Sequence, residues 1–410
     1  MLQKYNYLFI RKIYLEYFYP FLPAITFFSC IFAKDMDSPD TKHQTDKQEF
    51  KEVMRMLVGY ELFDSLAAKL FPEMSLDALR QQLLEFEDAD EFQHVVMYRC
   101  CQWVIENTMS QFTYSGTEYL DRRPCLYVSN HRDIVLDAML LQYLLVDRGL
   151  DTSHIIIGSN LFEMPMMALL AKTNKMYSIG RGGTPREYYN ILMAMSNHLR
   201  QLVTVRGESA WIAQRNGRTK DGRDRTDAAL IKMIAYSGNR EDLVGSLTEM
   251  HIIPVSVSYE WEPCGVLKAQ ELRLRTLGSY TKAPGEDSQS VVSGITDFKG
   301  RVHFTICPPI QPKELADRNG DFDAIAALID QRICDGYHTW PNNYIAKAML
   351  EGDDYAEYAD EAPAFEKYID NACRQHPMDE TFRKILLGIY ANPLTSTYQR
   401  INISTQHNIC

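Results

Sequence analysis

Between a short apolar run, Cys125 to Val128, and an apolar-periodic segment, Asp137 to Leu144, stand Ser129, Asn130, His131, Arg132 and Asp133. The first run fits a buried strand and the second a helix. An imidazole carried by a strand end to a helix start, with carboxylates close by, is an arrangement that can hold a general base. His131 is the candidate base, and Asp133 and Asp137 are the candidate acids. Further along, Gly180, Gly182 and Gly183 flank Arg181, where small residues let backbone amides approach an anionic oxygen. Arg181 and Arg218 carry guanidinium forks suited to a phosphate, and Lys220 adds a point charge beside Gly217. Taken singly these are weak signals: a histidine near a strand end is as often hydrogen-bonded structure, and Arg218 to Arg225 alone reads as a solvated charged loop.

Two other chemistries compete for the same residues. His131, Arg132 and Asp133 spell the HRD of a protein-kinase catalytic loop, but that loop needs an asparagine where Ala138 stands. No glycine-rich loop with a strand lysine precedes it, and Thr296 to Lys299 reads TDFK where DFG is required. A Gly-x-Ser-x-Gly elbow is absent, which removes a serine hydrolase.

The elements that must position these residues follow from periodicity. From Glu49 to Ser110 apolar residues recur at helical spacing, predicting a helical N-terminal region over 48–110. After Pro124 strands and helices alternate: strands at Leu126 to Val128, His154 to Gly158, Met176 to Ile179, Ser209 to Ala213, His251 to Ser258 and Val302 to Ile306, with helices such as Pro185 to Arg200 and Ala228 to Tyr236 between them. That order predicts an α/β domain over 111–310. Pro263 to Asp297 reads as an outward loop. Pro254 falls inside a β-rich run, which a strand edge or start tolerates. Beyond it, Phe322, Ile325, Leu328, Ile329 and Ile333 share one face, predicting a helical extension over 311–395 and a frayed tail over 396–410.

The chain of 410 residues, 46% hydrophobic and 11% aromatic, can build a sizeable core, which excludes a disordered protein. Its net charge of -11 argues against nucleic-acid binding. Nine cysteines without CxxC or Cys/His ligand spacing suit reduced thiols, and no metal site is read. Residues 1–35 differ from the rest: an aromatic, apolar run from Tyr17 to Ala33 follows Lys4, Arg11 and Lys12, and Pro20 and Pro23 interrupt it. It reads as a leader or membrane anchor. A start at Met36 would leave it untranslated.

Four segments in order, GTEYL with YVSNH (Gly116 to Leu120, Tyr127 to His131), YSIGRGG (Tyr177 to Gly183), NGRTKDG (Asn216 to Gly222) and IIPVSVSYE (Ile252 to Glu260), resemble the blocks of the glycerolipid acyltransferase family. The third and fourth are most similar to its glycerol-3-phosphate acyltransferase branch. The resemblance covers about residues 112–262 and implies a mixed sheet flanked by helices. It further implies an O-acyltransferase, needing no cofactor, that moves a fatty acyl group from acyl-CoA or acyl-carrier protein to glycerol 3-phosphate or 1-acylglycerol 3-phosphate in phospholipid synthesis.

His131 would then be the base and a nearby aspartate would fix its tautomer. Arg181, Gly182, Gly217, Arg218 and Lys220 would hold substrate, and Pro254 would shape the acyl-donor site. The sequence departs from the family pattern twice. Five residues rather than four separate His131 from Asp137, which the following run AMLLQYLL favours as partner over Asp133. The family's acid before the glycine-arginine pair is here Gln214 or Arg215. Such a substrate places the protein at the cytoplasmic face of the inner (plasma) membrane, held peripherally or by its N-terminus. The departures leave two alternatives, a lipid-binding relative impaired in catalysis and an acyltransferase for another lipid acceptor.

Overall fold

The computed structural model describes residues 47–59, 63–159, 171, 173–180, 184–283, 285–375 and 379–406. The apolar leader, the helix expected through Leu169 and the Arg181 to Gly183 segment lie outside the described residues.

A seven-stranded mixed sheet forms the centre. Its strands are β1 (Met109–Ser115), β2 (Leu126–Ser129), β3 (His154–Gly158), β4 (Met176–Ile179), β5 (Ala210–Ala213), β6 (Ile252–Tyr259) and β7 (Gly300–Ile306), in the order β1-β7-β6-β2-β5-β3-β4. Strands β2 to β6 run parallel, while β7 is antiparallel to β6 and parallel to β1. Central strands β2 and β6 are buried along their whole length, as strands covered on both faces must be.

Helices α1 (Lys47–Val58), α2 (Phe63–Leu70) and α3 (Leu76–Glu85) build the expected N-terminal region around Phe50, Met54, Leu79, Leu83 and Phe92. A short turn, Ala89–Phe92, and a π-helical stretch, Gln93–Met97, lead into α4 (Tyr98–Thr108). Helix α5 (Leu136–Asp147) then lies between α4 and one face of the sheet, and nine of its residues from Leu136 to Leu145 are buried. Covered on both sides, α5 has apolar residues all round rather than on one stripe.

The opposite sheet face is covered by α6 (Pro185–Arg200) and α7 (Ala228–Ala235), followed in sequence by α8 (Leu243–Thr248). Thr184 and Glu187 close a reciprocal capping box at the start of α6, with Pro185 at its first position.

Pro263 to Asp297, expected as a loop, instead holds two helices, α9 (Gly265–Thr276) and α10 (Glu286–Thr296). Few apolar residues in that stretch are arranged on one face, so periodicity missed them. They form because Ala269 of α9 packs into the C-terminal core and Val291 of α10 is buried. Strand β1 is not among the expected strands either: the helical reading runs to Ser110, and in the remainder of Met109–Ser115 only Phe112 and Tyr114 are apolar.

After α11 (Pro312–Ala316), α12 (Phe322–Asp335) buries Ile325, Leu328, Ile329 and Ile333 against the sheet together with Ile231 and Leu247. It therefore completes the α/β core rather than standing apart. Helices α13 (Pro341–Glu351), α14 (Ala362–Gln375) and α15 (Glu380–Gln406) form a second core of Ile345, Phe365, Ile369, Phe382 and Leu386. Helix α15 runs past Thr395, where a frayed tail was expected.

One glycine joins this C-terminal unit to the α/β domain. Gly222 has φ +79°, and a Cβ there would lie 2.1 Å from the backbone oxygen of Ile389 in α15. Both the left-handed backbone and the close approach exclude a side chain. Gly222→Ala should lose about 2–4 kcal/mol of stability, read as a lower urea midpoint; a midpoint equal to wild type would mean that the two segments do not meet this closely.

Candidate active site

Strand β2 ends at Ser129, and the chain turns over the carboxyl ends of the parallel strands, the place where open α/β sheets put their ligands. Asn130 guides that turn. Its side chain acts like one more strand residue, donating from Nδ2 to the Val257 oxygen (2.9 Å) and accepting from the Val257 amide (2.9 Å). His131 follows at the mouth, with its side chain 14% exposed and its ring inclined at 73° to that of Trp211, 6.3 Å between centroids.

The His131 Nδ1 lies 3.0 Å from Oδ2 of Asp137. A carboxylate can only accept, so Nδ1 carries the hydrogen and Nε2 is left as the basic nitrogen. The same Oδ2 accepts from the Arg132 amide (2.7 Å) and the Asp133 amide (2.9 Å), and Oδ1 accepts from the Tyr259 hydroxyl (3.0 Å). Asp137 is fully buried and sits in the first turn of α5, where the helix dipole also favours a negative charge. Burial and the neighbouring Asp137 push the Tyr259 hydroxyl far above its usual range, so it stays a donor.

Asp133, the rival acid, does other work. Its Oδ1 accepts from the amides of Val135 (2.8 Å) and Leu136 (2.9 Å), closing the start of α5. Burial and then Asp137 push its carboxyl up, against the pull of Arg218. The structure thus pairs His131 with Asp137, across the five-residue gap.

The loop from Gln214 to Asp227 covers this region. The Gln214 amide donates to the Ser129 oxygen and the Thr219 amide to the His131 oxygen, both at 2.8 Å. Gly217 takes φ +76° with open space around it, so only its backbone conformation requires glycine. Arg218 is 9% exposed, its Nη1 has no hydrogen-bond partner, and its charge acts on Asp133 and Cys264. Lys220 is paired with Glu271 of α9, and burial with the Arg218 charge lowers its amine pKa. Arg215, Arg223 and Arg225 line an open polar cup with Asp221 and Asp227. Gln214, one of the two residues at the family's acid position, is fully buried, and Arg215, the other, lines the cup.

Pro254 lies within β6, between β2 and β7, rather than at an edge. Its oxygen accepts from Cys307, just past the end of β7, so its missing N–H falls where the β6–β7 ladder has not begun. It is buried, and strand alternation puts it on the Ile252 side, opposite Val255, Val257 and Tyr259.

Several residues of the site carry no signal of their own in the sequence. Arg132 is 1% exposed and bonds Asp224, Glu262 and the Gly222 oxygen, while Lys268 bonds Glu262 and the Arg132 oxygen. Tyr259 could have been found, because period-two alternation from Val255 and Val257 puts it on the α5 face. On that face a narrow apolar cleft runs between α4 and α5, lined by Met97, Tyr98, Ile134, Val135, Met139 and Ile157. Its free volume is about 40 Å³, so a chain would enter only as the walls part.

Residues 111–258 match the Acyltransferase family model. No curated protein matches the chain. Among solved structures, the 1-acyl-sn-glycerophosphate (LPA) acyltransferase PlsC from Thermotoga maritima is similar at 13% identity, over 70% of this chain and 97% of that chain, with a TM-score of 0.37.

Beside Asp133, burial lowers Lys299 to about 8 although Asp133 and Asp297 pull it up, and its Nζ has no hydrogen-bond partner. The unfolded chain, with a lysine near its usual ~10.4, binds more protons between about pH 8 and that value, so stability rises with pH across this window. Below it the cost of burying the charge is complete. Lys299→Met should therefore be more stable than wild type at pH 7, by up to about 3 kcal/mol, with the gain fading by about pH 10.5. Guanidinium melts at the two pH values check this, and an equal or less stable variant at pH 7 contradicts it.

Proposed function

Because residues 111–258 match the Acyltransferase family model, we propose that the protein is an O-acyltransferase of glycerolipid type, moving a fatty acyl group from acyl-CoA or acyl-carrier protein to glycerol 3-phosphate or 1-acylglycerol 3-phosphate. The observation that carries the proposal is the His131–Asp137 pair, with Nδ1 held and Nε2 left to act as base.

In this reading Nε2 takes the hydroxyl proton as the acceptor oxygen attacks the thioester carbonyl. The imidazolium is stabilised by Asp137, as the acid of a serine-protease triad stabilises its histidine. Collapse of the tetrahedral adduct breaks the carbon–sulfur bond, and the leaving thiolate takes the proton from Nε2. Acyl ester and free thiol result, and His131 returns to its starting state. Arg218, with its unpartnered Nη1, is the cation best placed to meet a phosphate. Lys220 would have to release Glu271 first. Arg181 and Gly182 belong to the same proposal by resemblance. Pro254 would act only by shaping β6.

The cleft between α4 and α5 suits an acyl chain in composition. Among the described residues no helix is long and apolar enough to cross a membrane. We place the protein on the cytoplasmic membrane face from the chemistry of its substrates alone, held peripherally or through residues 1–35.

The test offers labelled acyl-CoA or acyl-carrier protein with each glycerophosphate acceptor. Wild type should form labelled product, His131→Ala should lose at least about 10³-fold in kcat and Asp137→Asn about 10²–10⁴-fold. Asp133→Asn, which still caps the helix, should stay within about 10-fold. Absence of transfer to any acceptor by wild type would leave a lipid-binding relative as the better account. A greater loss in Asp133→Asn than in Asp137→Asn would reverse the assignment of the acid.

A further inference from the structure

The turn that carries His131 is held from two sides. On one side its amides at Arg132 and Asp133 converge on Asp137. On the other, the Arg132 oxygen accepts from Nζ of Lys268 at 2.6 Å, and the Arg132 side chain runs inward. Its Nε and Nη2 reach Asp224 Oδ2 (3.2 and 2.7 Å), its Nη1 reaches Glu262 (3.2 Å), and Nη2 also bonds the Gly222 oxygen (3.1 Å). Lys268 closes the group on Glu262 Oε1 at 2.6 Å. All four side chains are buried. Two cations face two anions, so the cluster is neutral as a whole.

Glu262, Lys268 and the C-terminal residues that support them lie beyond the family-matched segment. The Glu262 amide donates to the Tyr390 hydroxyl of α15, and Arg132 lies over the ring of Tyr337. A buried ionic group of this kind is no more stable than well-packed apolar side chains of the same volume, because desolvation offsets the attraction. What it supplies is geometry. Fork and carboxylate fit one another in one arrangement, and this adds a fixed point on the side of the 131–133 turn away from Asp137.

We propose that Arg132 and Lys268 are positioning residues for His131: the Arg132–Asp224–Glu262–Lys268 cluster fixes the 131–133 turn from the side opposite Asp137, and so makes α9 and the C-terminal helices part of the catalytic apparatus. The proposal rests on the reading of His131 as base. Lys268 sets the height of the turn through the Arg132 oxygen, and Arg132 sets its direction through the side chain. When either is lost, the amides at 132 and 133 turn from Asp137, and the aim of His131 goes with them.

The test removes one cation and one anion together, so that the cluster stays neutral. Lys268→Met/Glu262→Gln leaves Arg132 paired with Asp224. Lys268→Gln/Glu262→Gln is a milder pair that keeps polar groups at both sites but shortens the donor to Arg132. In the full-length protein each should fold cooperatively, lose about 10–100-fold in kcat with KM for both substrates within about twofold, and show the His131 Nδ1–H signal in ¹⁵N-resolved NMR shifted or broadened away. A merely structural role would lower the unfolding midpoint and leave that signal and kcat in place. A folded pair with wild-type kcat and an unchanged signal overturns the proposal, as does failure of both pairs to fold, which would make the cluster a matter of stability alone. The NMR arm needs no turnover, so a wild type without transferase activity would fail the functional reading while the positioning claim is still decided.

Discussion

A single carboxylate, Asp137, organises the candidate site, because it is buried without a counter-cation of its own and must be met by donors from every side. Four converge on it: the His131 ring, two amides of the turn and the Tyr259 hydroxyl. An ionised acid without those bonds would be costly at such depth. Satisfying it therefore fixes the path of the 131–133 turn, the start of α5 and the register of β6 at once. The orientation of His131 is a by-product of that same requirement. Three of the donors come from the 131–133 turn and the fourth from β6, so the carboxylate, itself in α5, joins strand, turn and helix into one unit.

The sheet explains how such donors come together. Parallel strands β2, β5 and β6 end at one edge, and Asn130 extends the β2–β6 ladder by bonding Val257 on both its amide and its oxygen. The turn thus starts from a fixed point. Helix α5 is equally constrained, since α4 and the sheet bury it on both sides. Rigid elements hold a reacting group more exactly than loops do, and here the loop itself is short and tied to both.

The charged cluster on the other side of the turn shows how far the site depends on distant sequence. Arg132 stands next to the base, yet its partners come from residues 222, 224 and 262, and Lys268 reaches it from α9. Removing one member would leave another charge buried alone. The C-terminal unit is bound into the same region by the close approach of Gly222 to Ile389 and by Tyr390 beneath Glu262. The matched family segment ends at Ser258, so this support lies outside it.

Local pattern in the sequence determined strands β2 to β7, helices α5 to α7 between them, the helical flanks, the candidate base and a short list of acids. Those signals are periodic or adjacent in the chain, and they survive without knowledge of neighbours. Pattern failed where contact rather than periodicity decides. Strand β1 is polar and forms because β7 offers it a ladder, and α9 and α10 form in a stretch without a clear apolar face because the C-terminal core receives Ala269 of α9 and the α5-side core receives Ile295 of α10. The choice between Asp137 and Asp133 was open in the sequence, since both lie within six residues of the histidine. Tertiary structure settled the geometry: the fold of the turn sends the Asp133 side chain to the helix amides and leaves Asp137 facing the ring. The partners of Arg132 likewise became visible only in three dimensions, because a buried charge is explained by what surrounds it and not by its place in the chain.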